Sequence, residues 1–123
     1  MQSSPDGREA ALLVGRQPRV RLVAVDLAGG AWRAVGAAGA GDSVRASVLL
    51  RWARDGFLYL GRQAGSAQAE VWRIPSRGGV AARVAVPPIR CDLGSLSLAD
   101  DGRTGACLVA DERPDLWLVE RHR

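Results

Sequence analysis

Apolar residues recur along this chain with a period of two, in short runs broken by Gly, Pro and Asp, which is the pattern of β-strands between turns. Over residues 8–15, Ala10, Leu12 and Val14 alternate with Ala11 and Leu13. Both faces are therefore apolar, as in a strand covered from both sides. Residues 19–26 place Val20, Leu22 and Ala24 on one face and Arg21, Val23 and Val25 on the other. The same period predicts strands over 31–35, 44–52, 57–60, 70–74, 80–86, 95–98, 103–110 and 115–120. Residues 63–68 are predicted to be a projecting loop, and residues 36–42 and 87–93 to be crossings between units. No window holds apolar residues at helical spacing without a Gly or Pro breaking it. The chain reads as all-β.

Its strands are also ordered as a repeat. An Asp-Gly turn occurs at Asp6-Gly7, at Asp55-Gly56 and at Asp101-Gly102, a step of 49 positions from the first glycine to the second and of 46 from the second to the third. Each is followed by an apolar strand and then a second strand rich in Val, Leu or Trp. Gly29-Gly30 and Gly78-Gly79 then supply tight hairpin connections. Self-similarity at this period marks a repeat architecture. The units divide at about 1–43, 44–92 and 93–123. The middle one is expected to hold four strands, the first to lack its inner strand and the last its outer one.

Three stretches carry a family resemblance: SSPDGREAALLVG, RWARDGFLYLGRQ with AEVWRIPSRGGVAARV, and LADDGRTGACLVADERPDLWLVE. They resemble the Asp-Gly-type, WD-repeat-like blades of TolB-like β-propellers. The resemblance spans essentially the whole chain. It implies antiparallel four-stranded β-propeller blades, here as an incomplete propeller of one full and two partial blades. Only the first unit keeps Ser-Pro-Asp-Gly, and it has Leu22-Val23-Ala24-Val25 where the others carry a Trp. Closed propellers use four to eight blades. The expectation is therefore a C-terminal piece of a larger propeller protein, or a chain that associates with copies of itself to complete the ring. A stand-alone open stack would leave bare edges and an uncovered face.

Composition is globular, with 47% hydrophobic and 24% charged residues. The formal charge of +4 comes from 17 basic residues, all Arg, interleaved with 13 acidic ones. A nucleic-acid binder would gather them on one face with aromatic platforms, so nucleic acid is not an expected partner. No apolar run approaches a membrane span, and residues 1–13 lack the features of a signal peptide. As written, the chain is expected to be cytoplasmic, whereas the parent of such a propeller can be periplasmic or membrane-anchored. The spacing of Cys91 and Cys107 matches neither a redox pair nor a zinc knuckle, and two free thiols are expected.

The candidate residues have a structural and a chemical reading each. Asp6, Asp55 and Asp101, with Gly7, Gly56 and Gly102, either cap their own turns or ligate a cation. One carboxylate per unit favours capping. Trp52, Trp72 and Trp117, with Trp32, either fill the space between blades or form a stacking surface, and the first use is commoner. His122 has no nucleophile near it in sequence, and no G-x-S-x-G, G-x-G-x-x-G or metal-ligand motif is present. No cofactor or metal is expected, and the chain is read as non-catalytic. The expected role is a protein- or ligand-interaction scaffold, as in kinase- or regulator-linked propellers. Its surface would lie on the 63–68 loop and the two crossings, with Arg62, Gln63, Gln68 and Arg113. The rival expectations are the gating propeller of a prolyl-oligopeptidase-like peptidase and a periplasmic TolB-like transport component.

Overall fold

A computed structural model describes residues 1–15, 21–35, 47–64, 68–87, 91–109 and 115–120. They form three antiparallel sheets in which sequential strands are neighbours. The first holds β1 (Gln2–Ser3), β2 (Glu9–Val14), β3 (Arg21–Asp26) and β4 (Trp32–Ala34). The second holds β5 (Ser47–Trp52), β6 (Phe57–Ala64), β7 (Gln68–Pro75) and β8 (Ala82–Ala85). The third holds β9 (Ser97–Leu98), β10 (Thr104–Val109) and β11 (Asp115–Glu120).

The middle sheet is covered on both faces. Leu58, Tyr59 and Leu60 are consecutive and fully buried, which a strand achieves only between two layers. Leu58 and Leu60 pack with Ile74 and Trp52 against Ala11, Leu22, Ala24 and Val35 of the first sheet and its exit. Tyr59 and Val71 pack the other way, against Leu96, Leu98 and Cys107 of the third sheet and its approach. Polar contacts pin the edges of both seams. Arg33 Nη1 donates to the Ser76 carbonyl at 2.5 Å across the first. Arg54 N donates to the Asp100 carbonyl at 2.9 Å across the second, beside an Arg51–Asp100 ion pair at 2.5 Å.

A one-residue difference between the Asp-Gly turns decides which side chains meet. In the first and third sheets the residue two before the Asp donates its N–H five positions ahead: Ser4 to Glu9 and Ala99 to Thr104, each at 2.8 Å. In the second sheet Ala53 donates only four ahead, to Phe57, at 3.0 Å. Tyr59 therefore occupies the place of Ala11 and Ala106, not that of Ala10 and Gly105. Because side chains alternate, a one-residue slip exchanges the two faces. With the slip included, all three sheets stack in the same sense. Ala11 faces the second sheet and Tyr59 the third, while Ala106 and the half-exposed Leu108 lie on the open face of the third.

Several expectations are corrected. The first sheet has an inner strand, the two-residue β1, because Ser3 pairs with Ala10 and Gln2 with Ala11. The loop expected over 63–68 is shorter: β6 extends to Ala64 and β7 begins at Gln68, so Gln63 and Gln68 lie in the ladder, and 65–67 lie outside the described residues. The inner strand read at 95–98 is partly a 3₁₀ turn, Leu93–Ser95. There Asp92 caps Gly94 N at 3.1 Å, and the Ser95 hydroxyl donates to the Asp92 carbonyl at 2.8 Å. Such local side-chain bonds compete with a strand ladder. Trp32 is 61% exposed and so fills no space between sheets.

The cysteines are not free. Cys91 and Cys107 form a disulfide with a Cα–Cα distance of 5.8 Å. Residues 91 and 92 return alongside β10, as Asp92 N donates to the Leu108 carbonyl at 2.8 Å, and this brings Cys91 beside Cys107. Spacing along the chain carries no trace of that return.

Two predictions follow from these contacts. Gly102 sits at φ +70°, and a Cβ there would lie 2.6–2.7 Å from the Tyr59 ring, whereas Gly7 at φ +74° has open space. Gly7→Ala is expected to cost about 1 kcal/mol for the left-handed backbone, and Gly102→Ala about 2 kcal/mol beyond that for the overlap, compared by urea melts. Equal losses would show that the ring contact carries no weight. Replacing Cys91 and Cys107 together by Ala is expected to cost about 3 kcal/mol, since the bridge closes a loop of 16 residues. Thiol titration of the unreduced, denatured chain is expected to find no free sulfhydryl.

Candidate functional site

The richest side-chain chemistry lies at one end of the seam between the first two sheets. An open groove of about 900 Å³ is lined there by the Asp6-Gly7 turn, the hairpin joining β3 to β4, and Arg77 from the turn after β7. Glu9 lies at its centre. Arg33 Nε donates to Glu9 Oε2 at 3.2 Å, and Arg77 Nη1 stands 3.8 Å from Oε1. Arg33 also holds the Ser76 carbonyl, so one guanidinium ties both sheets and fixes the carboxylate between them. Glu9 is largely buried while Arg77 is 81% exposed, which leaves most of the Arg77 fork facing solvent.

The groove walls are set by local turn chemistry. Asp6 Oδ1 accepts from the Ser4 hydroxyl at 2.7 Å and from Arg8 N at 3.0 Å. Those two donors, the hydroxyl first, hold its pKa below the usual Asp value. Asp26 Oδ1 accepts from Ala28 N at 2.9 Å and closes the hairpin. That hairpin presents Trp32, whose ring stacks near the Arg21 guanidinium at 5.5 Å on the way to the outer face of the sheet. The arrangement combines an aromatic platform, an exposed guanidinium and backbone turns held by carboxylates. It suits recognition of an extended, partly charged partner.

The other two Asp-Gly turns have the same local bonds. Asp55 Oδ1 accepts from Phe57 N at 3.0 Å and Asp101 Oδ1 from Arg103 N at 2.9 Å. Gly56 and Gly102 have positive φ, like Gly7. Asp55 does more: its Oδ2 accepts from the Tyr59 hydroxyl at 2.6 Å. Trp52 is buried in the first seam and Trp72 packs against that seam half-exposed. Trp117 pairs with Cys107 in the β10–β11 ladder. Among the described residues no group of three or more His, Cys, Asp or Glu could hold a metal ion.

Of the candidate binding residues, Arg113 lies outside the described residues, as does His122, and Gln63 and Gln68 lie in strands. Arg62 is engaged within the fold, its guanidinium 5.5 Å from the Trp72 ring centroid. Trp72 Nε1 donates to Glu70 Oε1 at 3.1 Å, and Arg83 Nη1 to Glu70 Oε2 at 2.9 Å. The Arg83 bond, helped by the Trp72 indole, holds the Glu70 carboxyl below the usual Glu range against the opposing effect of burial. The cluster escapes sequence reading, since Arg33 and Arg77 stand 24 and 68 positions from Glu9. The only sequence signal was the isolated Glu in an otherwise apolar strand.

Three stacked antiparallel meanders with one covered on both faces define a set of β-propeller blades. The fold is TolB-like: the crystal structure of TolB from Acinetobacter baumannii superimposes with a TM-score of 0.66 at 13% sequence identity. The match takes in 96% of this chain but 28% of TolB, so the chain spans less than a third of that relative's length. No protein-family model matches the chain, and neither does any curated protein.

Because its folded pKa is lowered, Glu70 contributes stability that is present above its unfolded value and lost as pH falls through the folded one. Glu70→Gln is expected to be less stable than the parent at neutral pH by about 0.5–1 kcal/mol. That gap should close when thermal melts are repeated in acid, below the carboxylate range. A gap that persists in acid would assign the loss to packing.

Proposed function

We propose that this chain is a non-catalytic propeller-type scaffold that recognises a protein or ligand at the Glu9–Arg33–Arg77 groove, in the manner of propellers serving sensor and regulatory proteins. The observation that carries the reading is one open groove lined by the exposed Trp32, by Arg33 held across the seam of two sheets and by the exposed Arg77. Tyr, Trp and Arg anchors dominate the energetics of protein recognition. The groove is open, which suits an extended segment better than an enclosed small molecule. Its exposed Arg77 guanidinium favours a partner carrying a carboxylate.

The test uses peptides selected from a random displayed library against the folded chain, with binding mapped by amide shifts. Selected peptides are expected to be acidic and to move the amides of residues 6–9, 26–33 and 76–79. Arg77→Ala is expected to weaken them about ten-fold, in keeping with loss of a charge-assisted hydrogen bond to a carboxylate. Shifts confined to other surfaces would overturn the placement of the site. Turnover of peptide substrates by the chain would overturn the non-catalytic reading.

A further inference from the structure

The two outermost faces of the stack are unlike each other and complementary. In each internal seam, the face carrying Ala11 or Tyr59 packs on the face of the next sheet carrying Leu58 and Leu60, or Cys107. The register set by the turns assigns the same two kinds of face to the open ends. Ala106 and Leu108, with Leu108 49% exposed, occupy the Ala11-type face of the third sheet. Leu12, Val14, Val25 and Trp32 form the opposite type on the first sheet, around a shallow apolar depression of about 360 Å³. The three described sheets thus leave one half of a seam uncovered on each side.

We propose that two copies of this chain associate head to tail, the Leu108 face of each covering the Val25–Trp32 face of the other, to close one propeller ring. The number of copies follows from the number of sheets. The described residues of each chain form three, closed propellers hold four to eight blades, and two chains supply six. Three chains would supply nine, beyond the closed range. Each seam joins unlike faces, and in a closed pair the two seams are related by a twofold axis, which distinguishes it from an open filament. Covering both faces takes the exposed Trp32 and Leu108 out of water. Trp32 lines both surfaces, but the groove's charged residues Glu9, Arg33 and Arg77 lie at the internal seam and the proposal does not rest on them.

Light scattering on a size-exclusion column tests it with the full chain. The expected particle contains two chains of 13.0 kDa each. Leu108→Arg and Val25→Arg, one on each face, are each expected to weaken association at least ten-fold while leaving the amide spectrum dispersed. Mixing the two variants is expected to restore a two-chain particle, because one unmodified seam can then form. A monomeric parent chain, a two-chain particle that both variants leave intact, a mixture that stays monomeric, or growth into open multimers would each overturn the proposal. Peptide binding is read separately through Arg77, which lies outside the covered face, so its loss or retention leaves this outcome unaffected.

Discussion

The Tyr59 ring is the contact on which the stack turns. It is fully buried, its hydroxyl is bonded to Asp55 at 2.6 Å, and its ring leaves no room for a side chain at Gly102. A single residue thus joins the turn of its own sheet, the core of the second seam and the turn of the next sheet. A buried phenol is favourable only when its hydroxyl has a partner, and here the partner is the carboxylate that also shapes the turn. The aromatic can sit there because the Ala53–Phe57 turn is one residue short. The short turn is therefore part of how the middle sheet meets its neighbour.

That same residue marks the limit of what the amino-acid pattern conveys. The all-β class, the Asp-Gly turns and the four strands of the middle unit are legible, because alternation and turn chemistry are local properties. The stacking partners are not. Aligned on Asp-Gly, Tyr59 matches Ala10 and Gly105, and this pairs the wrong faces throughout. The two-residue β1 is too short to show a period. Cys91 meets Cys107, and Glu9 meets Arg77, only because chain segments return in space. The Glu9 cluster is a tertiary object, and its one sequence trace is a charge at the start of an apolar strand.

The polar seam contacts and the apolar ones divide the labour. Small and aliphatic residues in the seams carry the burial that holds the sheets face to face. Arg33, Arg51 and the Arg54 amide fix the lateral register at the rims, where a hydrophobic face alone would permit sliding. The groove exists because one rim contact, Arg33 to Ser76, holds a carboxylate and a neighbouring guanidinium at the surface. A recognition surface built on a rim in this way inherits the rigidity of the seam beneath it.

The disulfide has a consequence for how the chain responds to cutting. Cys91 and Cys107 bracket the inner lane of the third sheet and the Asp101-Gly102-Arg103 turn, in which Asp101 and Arg103 are exposed. A protease specific for Arg that severs the backbone after Arg103 would leave the two products covalently joined. The β10–β11 pair would stay tethered beside Tyr59 rather than diffuse away. In a chain whose cations are all arginine, that tether makes the third sheet a nick-tolerant part of the stack.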